Sequence, residues 1–141
     1  MLSAQVYLNV LACIARADGK LDPAEAALLD RAVAASGLSD RATEGMRKIL
    51  DMQHQPQVDS ILSEAVNHLS PALLVDLLRD GYVMASADGQ IAAAEVNVLD
   101  RLIEKAGIPE NRRATLHQWA QRAARHQMDG LHIAADSLPH Q

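Results

Sequence analysis

The chain of 141 residues is long enough for one domain with its own hydrophobic core, so no disulfide or metal is needed merely to fold it. Hydrophobic residues make up 49% and charged residues 22% of the chain, which is typical of a globular protein and excludes a disordered one. The formal net charge of −5 argues against a nucleic-acid partner, because nucleic-acid-binding surfaces are basic.

Cysteine content and hydropathy indicate the compartment. The single cysteine, Cys13, excludes an intramolecular disulfide and multi-cysteine metal clusters, and it fits a reducing environment. The N-terminal segment lacks the basic start of a signal peptide, and no apolar run approaches the roughly 18–20 residues that a membrane-spanning helix needs. We therefore expect a cytoplasmic protein without a membrane span.

Apolar residues recur at helical spacing along most of the chain, and sustained period-two alternation is missing, which predicts an all-α fold. Capping and breaking residues delimit seven helices over about 3–16, 22–37, 40–53, 57–69, 70–87, 92–106 and 109–127. The clearest start is Asp22-Pro23-Ala24-Glu25, where Asp22 suits the N-cap and Glu25 completes a capping box. Residues 1–128 are expected to form one compact bundle, and residues 129–141 a loosely ordered tail.

An internal repeat appears when residues 15–38 are aligned with residues 85–108, an offset of 70. Ten of the 24 aligned positions are identical, and each copy reads Ala-Asp-Gly, any residue, an aliphatic residue, three residues and Glu. The bundle is therefore expected to contain two helical hairpins related by a pseudo-twofold axis.

The carboxylates of this repeat are unusual for their positions. Asp18 and Asp88 follow helices, where the helix dipole disfavours a negative charge, so a turn amide or a cation is needed beside them. Glu25 and Glu95 head apolar stripes of their helices, so both are expected to point inward, where a carboxylate needs a partner.

The repeat matches the second half of an EF-hand calcium loop but lacks the ligands of the first half. Ile14 and Arg16 stand at loop positions one and three of the first copy, and Met84 and Ser86 at those of the second. Ala92 also replaces a polar residue in the second copy. A true EF-hand is therefore rejected.

Two interpretations of the carboxylates remain open. Asp18, Glu25, Asp88 and Glu95, with Asp22 as a supporting candidate, form one or two cation sites, for which all-oxygen ligands favour Ca²⁺, Mg²⁺ or Mn²⁺. Alternatively each carboxylate only caps its own turn, and no cofactor is required.

Sequence motifs of enzymes are missing, since there is no Glu-x-x-His pair, Gly-rich phosphate loop or G-x-S-x-G. Cys13 lies on the apolar stripe of the first helix and is expected in the core. The last helix carries Arg112, Arg113, Arg122 and Arg125, a solvated face that is also suited to an acidic partner or membrane headgroups. Trp119 beside them is expected in the core, with interface anchoring as the second interpretation.

The paired Ala-Asp-Gly-x-aliphatic-x-x-x-Glu-x-x-x-Leu-Asp-Arg elements resemble the TerB-like family linked to tellurite resistance, a domain type that also forms the N-terminal part of the DnaJ-type co-chaperone DjlA. The resemblance covers about residues 5–125. It implies a compact bundle of about seven helices, a bacterial source, clustered acidic residues and divalent-metal binding, and the matching acidic positions are Asp18, Glu25, Asp88 and Glu95.

The sequence therefore predicts a non-enzymatic domain that acts in a bacterial stress or tellurite-resistance-type response by binding protein partners, including those of a membrane-associated complex. The pseudo-symmetry within one chain predicts a monomer or weak dimer. Two alternatives remain, a metal-dependent hydrolase or redox enzyme that uses the paired carboxylates and a purely structural interaction module.

Overall fold

The structure, a computed structural model, describes residues 2–19, 21–51, 56–86 and 92–137. Within these ranges the chain forms seven α-helices and no strand, which confirms the all-α prediction. The helices are α1 (Leu2–Ala15), α2 (Pro23–Ser36), α3 (Glu44–Leu50), α4 (Val58–His68), α5 (Pro71–Ala85), α6 (Ala93–Lys105) and α7 (Glu110–Ser137). None of the described helices is both long and apolar enough to cross a membrane.

Two helix lengths differ from the predicted ones. The chain before α3 forms a turn instead of a first helical turn, in which the amide of Thr43 donates to the carbonyl of Ser39 at 3.1 Å. α7 continues beyond the predicted end at about residue 127, because no proline interrupts it before Pro139. Residues 129–137, expected to be part of a loosely ordered tail, are therefore helical, and residues 138–141 lie outside the described ranges.

α1 is the central helix of the bundle. On the apolar stripe that contains Cys13, Val6 and Val10 are also buried, and so are residues on the other sides of the helix, including Leu8, Leu11 and Ile14. Although Ser3, Gln5 and Asn9 are only half-buried, α1 packs against α2, α3, α4, α5 and α6 and is the core helix of the bundle.

α5 is the second deeply buried helix, and its C-terminal half lies between α1 and α6. Gly81 permits this approach, because a β-carbon there would come within 2.5 Å of Leu99 Cδ2 and 3.0 Å of Ile14 Cδ1. α7 packs along α5 and makes fewer contacts with α6.

The helix bounds follow the sequence repeat. Shifted by 70 residues, α1 would cover 72–85 and α2 would cover 93–106, close to the observed bounds of α5 and α6. The pseudo-twofold arrangement of the two hairpins in space stays a prediction.

Candidate functional site

The turn between α1 and α2 is built on Gly19. Its φ of +82° belongs to the left-handed region, and its amide donates to the carbonyl of Arg16 at 2.9 Å. No atom within 4 Å would meet a β-carbon there, so glycine is needed for its backbone conformation and not for space. Asp18 lies exposed beside it. The equivalent turn, which includes Asp88, falls in residues 87–91 and lies outside the described residues.

Arg16, which stands at the third position of the EF-hand-like loop, is a buried helix tether. Its side chain is 8% exposed, and Nη1 donates to the carbonyl oxygens of Ile49 at 3.0 Å and Asp51 at 3.2 Å. These carbonyls end α3, which leaves them without partners inside that helix. Arg16 therefore joins the end of α1 to the end of α3.

The other departures from the EF-hand pattern are also explained by packing. Ile14 and Met84 are core residues. Ser86 Oγ donates to the carbonyl of Tyr82 at 2.8 Å, a contact within the end of α5. These three side chains therefore serve the core or the helix end and are not turned toward a calcium loop.

Glu25 is held by the predicted capping box. Its amide donates to Asp22 Oδ1 at 2.9 Å, and its Oε1 accepts from the amide of Asp22 at 3.4 Å. Although it lies in the first turn of α2, only 3% of the residue is exposed. The prediction of an inward carboxylate is confirmed here.

Glu95 occupies the same position of α6 without a capping box. The N-cap is Ala92, whose side chain offers no acceptor, yet Glu95 is also only 3% exposed. A glutamate at this position is therefore buried whether or not the N-cap residue offers a capping side chain.

The two glutamates meet between α2 and α6. Their carboxyl groups lie within hydrogen-bonding reach of each other, and burial raises the pKa of Glu25, assisted by the negative charges of Asp22 and Asp18. Glu25 Oε2 is buried and receives no hydrogen bond from the described part of the chain. Two ionised carboxylates cannot donate to each other, so one proton held between them removes this deficit.

The structure thus brings together part of the predicted metal site. Glu25 and Glu95 form the buried pair, and Asp18 and Asp22 are near enough for their charges to act on Glu25. Within the described ranges, no group of three or more acidic, histidine or cysteine side chains is arranged to hold a metal ion. The cation site stays a prediction, and its fourth carboxylate, Asp88, lies outside those ranges.

A polar chain that the sequence analysis missed connects α5, α6 and α7. Tyr82 Oη bonds His117 Nδ1, and His117 Nε2 lies 3.1 Å from Asp100 Oδ1. Burial, assisted by the charge of Asp100, raises the pKa of Tyr82 to about 12. These residues are far apart in sequence, and no local spacing connects them.

Two predictions about single residues have opposite outcomes. Cys13 is 2% exposed, and burial raises the pKa of its thiol to about 12, which confirms a core role. Trp119 is 40% exposed, so its placement in the core was wrong. Small residues of α7, Ala120 and Ala124, fill the contact with α5 instead.

Comparison with known proteins supplies the family. The family model described as Tellurite resistance protein TerB matches residues 4–118, from α1 into α7. No curated protein and no solved structure matches the chain. Since the family match covers most of the sequence, this protein belongs to the TerB family.

Proposed function

We propose that this TerB-family protein is a cytoplasmic, non-enzymatic binding domain that acts in a bacterial stress or tellurite-resistance-type response. Family membership supports the type of response. The observation that carries the site is the buried pair of Glu25 and Glu95, contributed by the two hairpins at equivalent positions.

The pair is suited to exchange a proton for a divalent cation. Ionised carboxylates at this separation repel each other, and either a proton or a cation between them relieves the repulsion. Oxygen ligands select Ca²⁺, Mg²⁺ or Mn²⁺. Asp18 and Asp22 would add further oxygens only if the turn before α2 rearranges on binding, because no three of the described acidic side chains are arranged to hold a metal ion. Asp88 completes this proposed set on sequence grounds.

Cation occupancy would change what a partner protein meets. An ion shared by Glu25 and Glu95 links α2 to α6, and it neutralises negative charge under the exposed turn at Asp18. Partner binding at this acidic turn surface would then depend on the ion. The partner would then bind the cation-loaded protein and the cation-free protein with different affinities.

The proposal is tested by calorimetric titration of Ca²⁺, Mg²⁺ and Mn²⁺ into the chelator-treated full chain. Glu25→Gln and Glu95→Gln remove the charges but keep the side-chain shape, and we expect both to abolish the heat of binding. Binding should strengthen as pH rises, because the cation must displace the shared proton.

Glu64→Gln is the matched control, since Glu64 is an exposed glutamate of α4. It should leave cation binding unchanged. An absence of heat up to roughly millimolar cation, the weak end of calcium modules, would contradict the cation site. Equal binding by wild type and both pair variants would place the ion elsewhere.

A purely structural role is the second candidate, and the capping box of Glu25 favours it. In that case Asp22→Asn and Asp18→Asn would leave stability and partner binding intact, because an amide oxygen still caps a helix. A cation-dependent thermal shift that disappears in Asp18→Asn would contradict this alternative.

The enzyme alternative has less support, because the two central carboxylates are each 3% exposed and a substrate group cannot reach them in this arrangement. Turnover of a phosphodiester or peptide substrate that requires Mn²⁺ and disappears in Glu95→Ala would reverse this part of the proposal.

A further inference from the structure

The long helix α7 has a buried face and an open face. Leu116, Ala120 and Ala124 recur at spacings of four residues, and the two alanines are almost completely buried against α5. Alanines allow the two helix backbones to approach closely, so α7 is fixed to the bundle along this stripe. The opposite side of the helix is left to solvent.

Trp119 lies on the flank of this open side. It is 40% exposed, and among residues 3–130 whose side chains the structure describes, Leu73 at 37% is the other large hydrophobic residue of comparable exposure. At 3.6 residues per turn, Arg112 lies two turns before Trp119 on the same side, and Arg122 lies about one turn after it. The indole is therefore placed between guanidinium groups.

The charges of this surface are unbalanced. Residues 111–127 contain four arginines and no Asp or Glu. Arg113 donates Nε to the carbonyl of Ile108 at 3.1 Å and serves the start of the helix. Arg112, Arg122 and Arg125 form no ion pair with any carboxylate in the described part of the chain.

A shallow depression of about 270 Å³ lies on the same outer side of α7, and Gln118, the residue before Trp119, is part of its lining. It is lined by Gln118, Gln121, Arg122 and Arg125. The arginines offer only hydrogen-bond donors, and the glutamine amides add more. Such a lining suits a carboxylate, because a guanidinium binds both carboxylate oxygens in a fixed planar geometry.

We propose that the α7 outer face, defined as Arg112, Gln118, Trp119, Arg122 and Arg125, binds an acidic segment of a partner protein. An apolar side chain of that segment covers Trp119, and its carboxylates pair with Arg122 and Arg125. Trp and Arg are the residues most enriched among those that dominate binding energy at protein interfaces. This site is independent of the Glu25–Glu95 pair.

Charge favours a short acidic segment over an extended polyanion. The whole chain carries −5, and Glu110 and Asp129 flank the arginines on the same helix. An anionic bilayer surface or a nucleic-acid duplex is large enough to lie within the screening length of about 8–10 Å of these carboxylates, and it would repel them. A peptide segment contacts the arginines without extending to the acidic surroundings.

The test uses Trp119 as its own reporter, since it is the only tryptophan of the chain. A synthetic peptide of repeated Glu-Asp-Leu units is titrated into the full-length protein, beside a neutral peptide of repeated Gln-Asn-Leu units. The acidic peptide should shift the fluorescence emission of Trp119 to shorter wavelength and protect the indole from acrylamide quenching. Both effects should weaken with added salt.

Arg122→Ala combined with Arg125→Ala should weaken the acidic peptide about tenfold or more, as expected for interface arginines. Arg31→Ala, which removes an exposed arginine of α2, is the matched control and should bind as the wild type does. Circular dichroism of all variants checks that the helices are retained.

Three results would overturn the proposal. Equal fluorescence shifts with the acidic and the neutral peptide would show that carboxylates are not recognised. A shift that survives the double substitution would place the peptide elsewhere. Stronger shifts with vesicles of phosphatidylcholine and phosphatidylglycerol, or with duplex DNA, would assign the face to a membrane or nucleic acid. None of these readings depends on a cation, so failure here is distinguishable from failure of the proposed cation site.

Discussion

Glu25 and Glu95 stand at equivalent positions of the two helical hairpins and are equally buried, but the helix starts around them differ. In the first, Asp22 and Pro23 start α2, and Glu25 completes a capping box. In the second, Ala92 stands at the N-cap of α6 without a side-chain hydrogen bond, yet Glu95 is buried equally well. The comparison shows that the cap is a property of one copy, whereas the inward carboxylate is common to both.

The largest difference between the copies is expected at Arg16 and Ser86, which are equivalent at an offset of 70. Arg16→Ala should lower the free energy of unfolding by about 2–3 kcal/mol, because a charged group loses one buried and one partly buried hydrogen bond to the carbonyls of Ile49 and Asp51. Ser86→Ala removes only a contact within its own helix, and about 0.5 kcal/mol or less is expected. Urea denaturation measures both, and equal losses would remove this distinction.

The second difference is between two helical glycines, Gly81 in α5 and Gly45 in α3, because only Gly81 lies where another helix approaches closely. Gly81→Ala should destabilise by about 2 kcal/mol, because its β-carbon would overlap Leu99 and Ile14. Gly45→Ala in α3 is the control, since its β-carbon would meet only Asn9 at an ordinary 3.6 Å. There the higher helix propensity of alanine should stabilise by about 0.5–1 kcal/mol, and thermal melts that show the reverse order would contradict the packing argument.

The third difference is between protonated and ionised states of the pair. Because the pKa of Glu25 is raised on folding from an ordinary value of 4.5 to about 7, the native state binds the proton more tightly than the unfolded state. The contribution of this group is therefore fully present below about pH 4.5 and is lost as pH rises through about 7. The expected loss for wild type is more than about 1 kcal/mol.

Glu25→Gln, which mimics the protonated form, should flatten this part of the pH profile. Other groups of the chain also change their protonation over this pH range, so the useful quantity is the difference between wild-type and variant unfolding free energies at each pH. A difference that does not change between pH 5 and pH 8 would show that the pair holds no raised pKa.

The smallest effects are expected from the caps themselves. Asp22→Ala should cost about 1 kcal/mol by removing the capping hydrogen bond to Glu25. Ala92→Ser should instead stabilise α6 by about 0.5–1 kcal/mol, because the backbone of Ala92 is already extended as an N-cap requires. If chemical denaturation shows no gain for Ala92→Ser, the amides of α6 are already satisfied by other groups.

Local signals in the sequence were enough for the features that depend on local geometry. The turn at Gly19, the cap at Asp22 and the inward direction of Glu25 follow from helix periodicity and backbone preference, and the structure has all three. The proximity of Glu25 and Glu95 depends on how α2 and α6 are both placed against α1 and α5, which no local pattern encodes.

The same reason explains the misplaced tryptophan. Size and hydrophobicity favour the core for Trp119, but Ala120 and Ala124 on the adjacent stripe are what fit against α5. The choice between neighbouring faces of a helix is made by the surface it packs on. The chain from Tyr82 through His117 to Asp100 likewise exists only after three helices have assembled.

The position of α1 at the centre of the bundle has a consequence for biosynthesis. α1 leaves the ribosome before α4, α5 and α6, which cover it, and its Tyr7 bonds Asp80, 73 residues further along the chain. Until those helices follow, the apolar side chains of α1 that are buried in the native bundle have no surface to pack on, and nascent chains in this state are prone to aggregate. The core around α1 therefore closes only after α6 has been synthesised, and chaperone dependence should concentrate on α1.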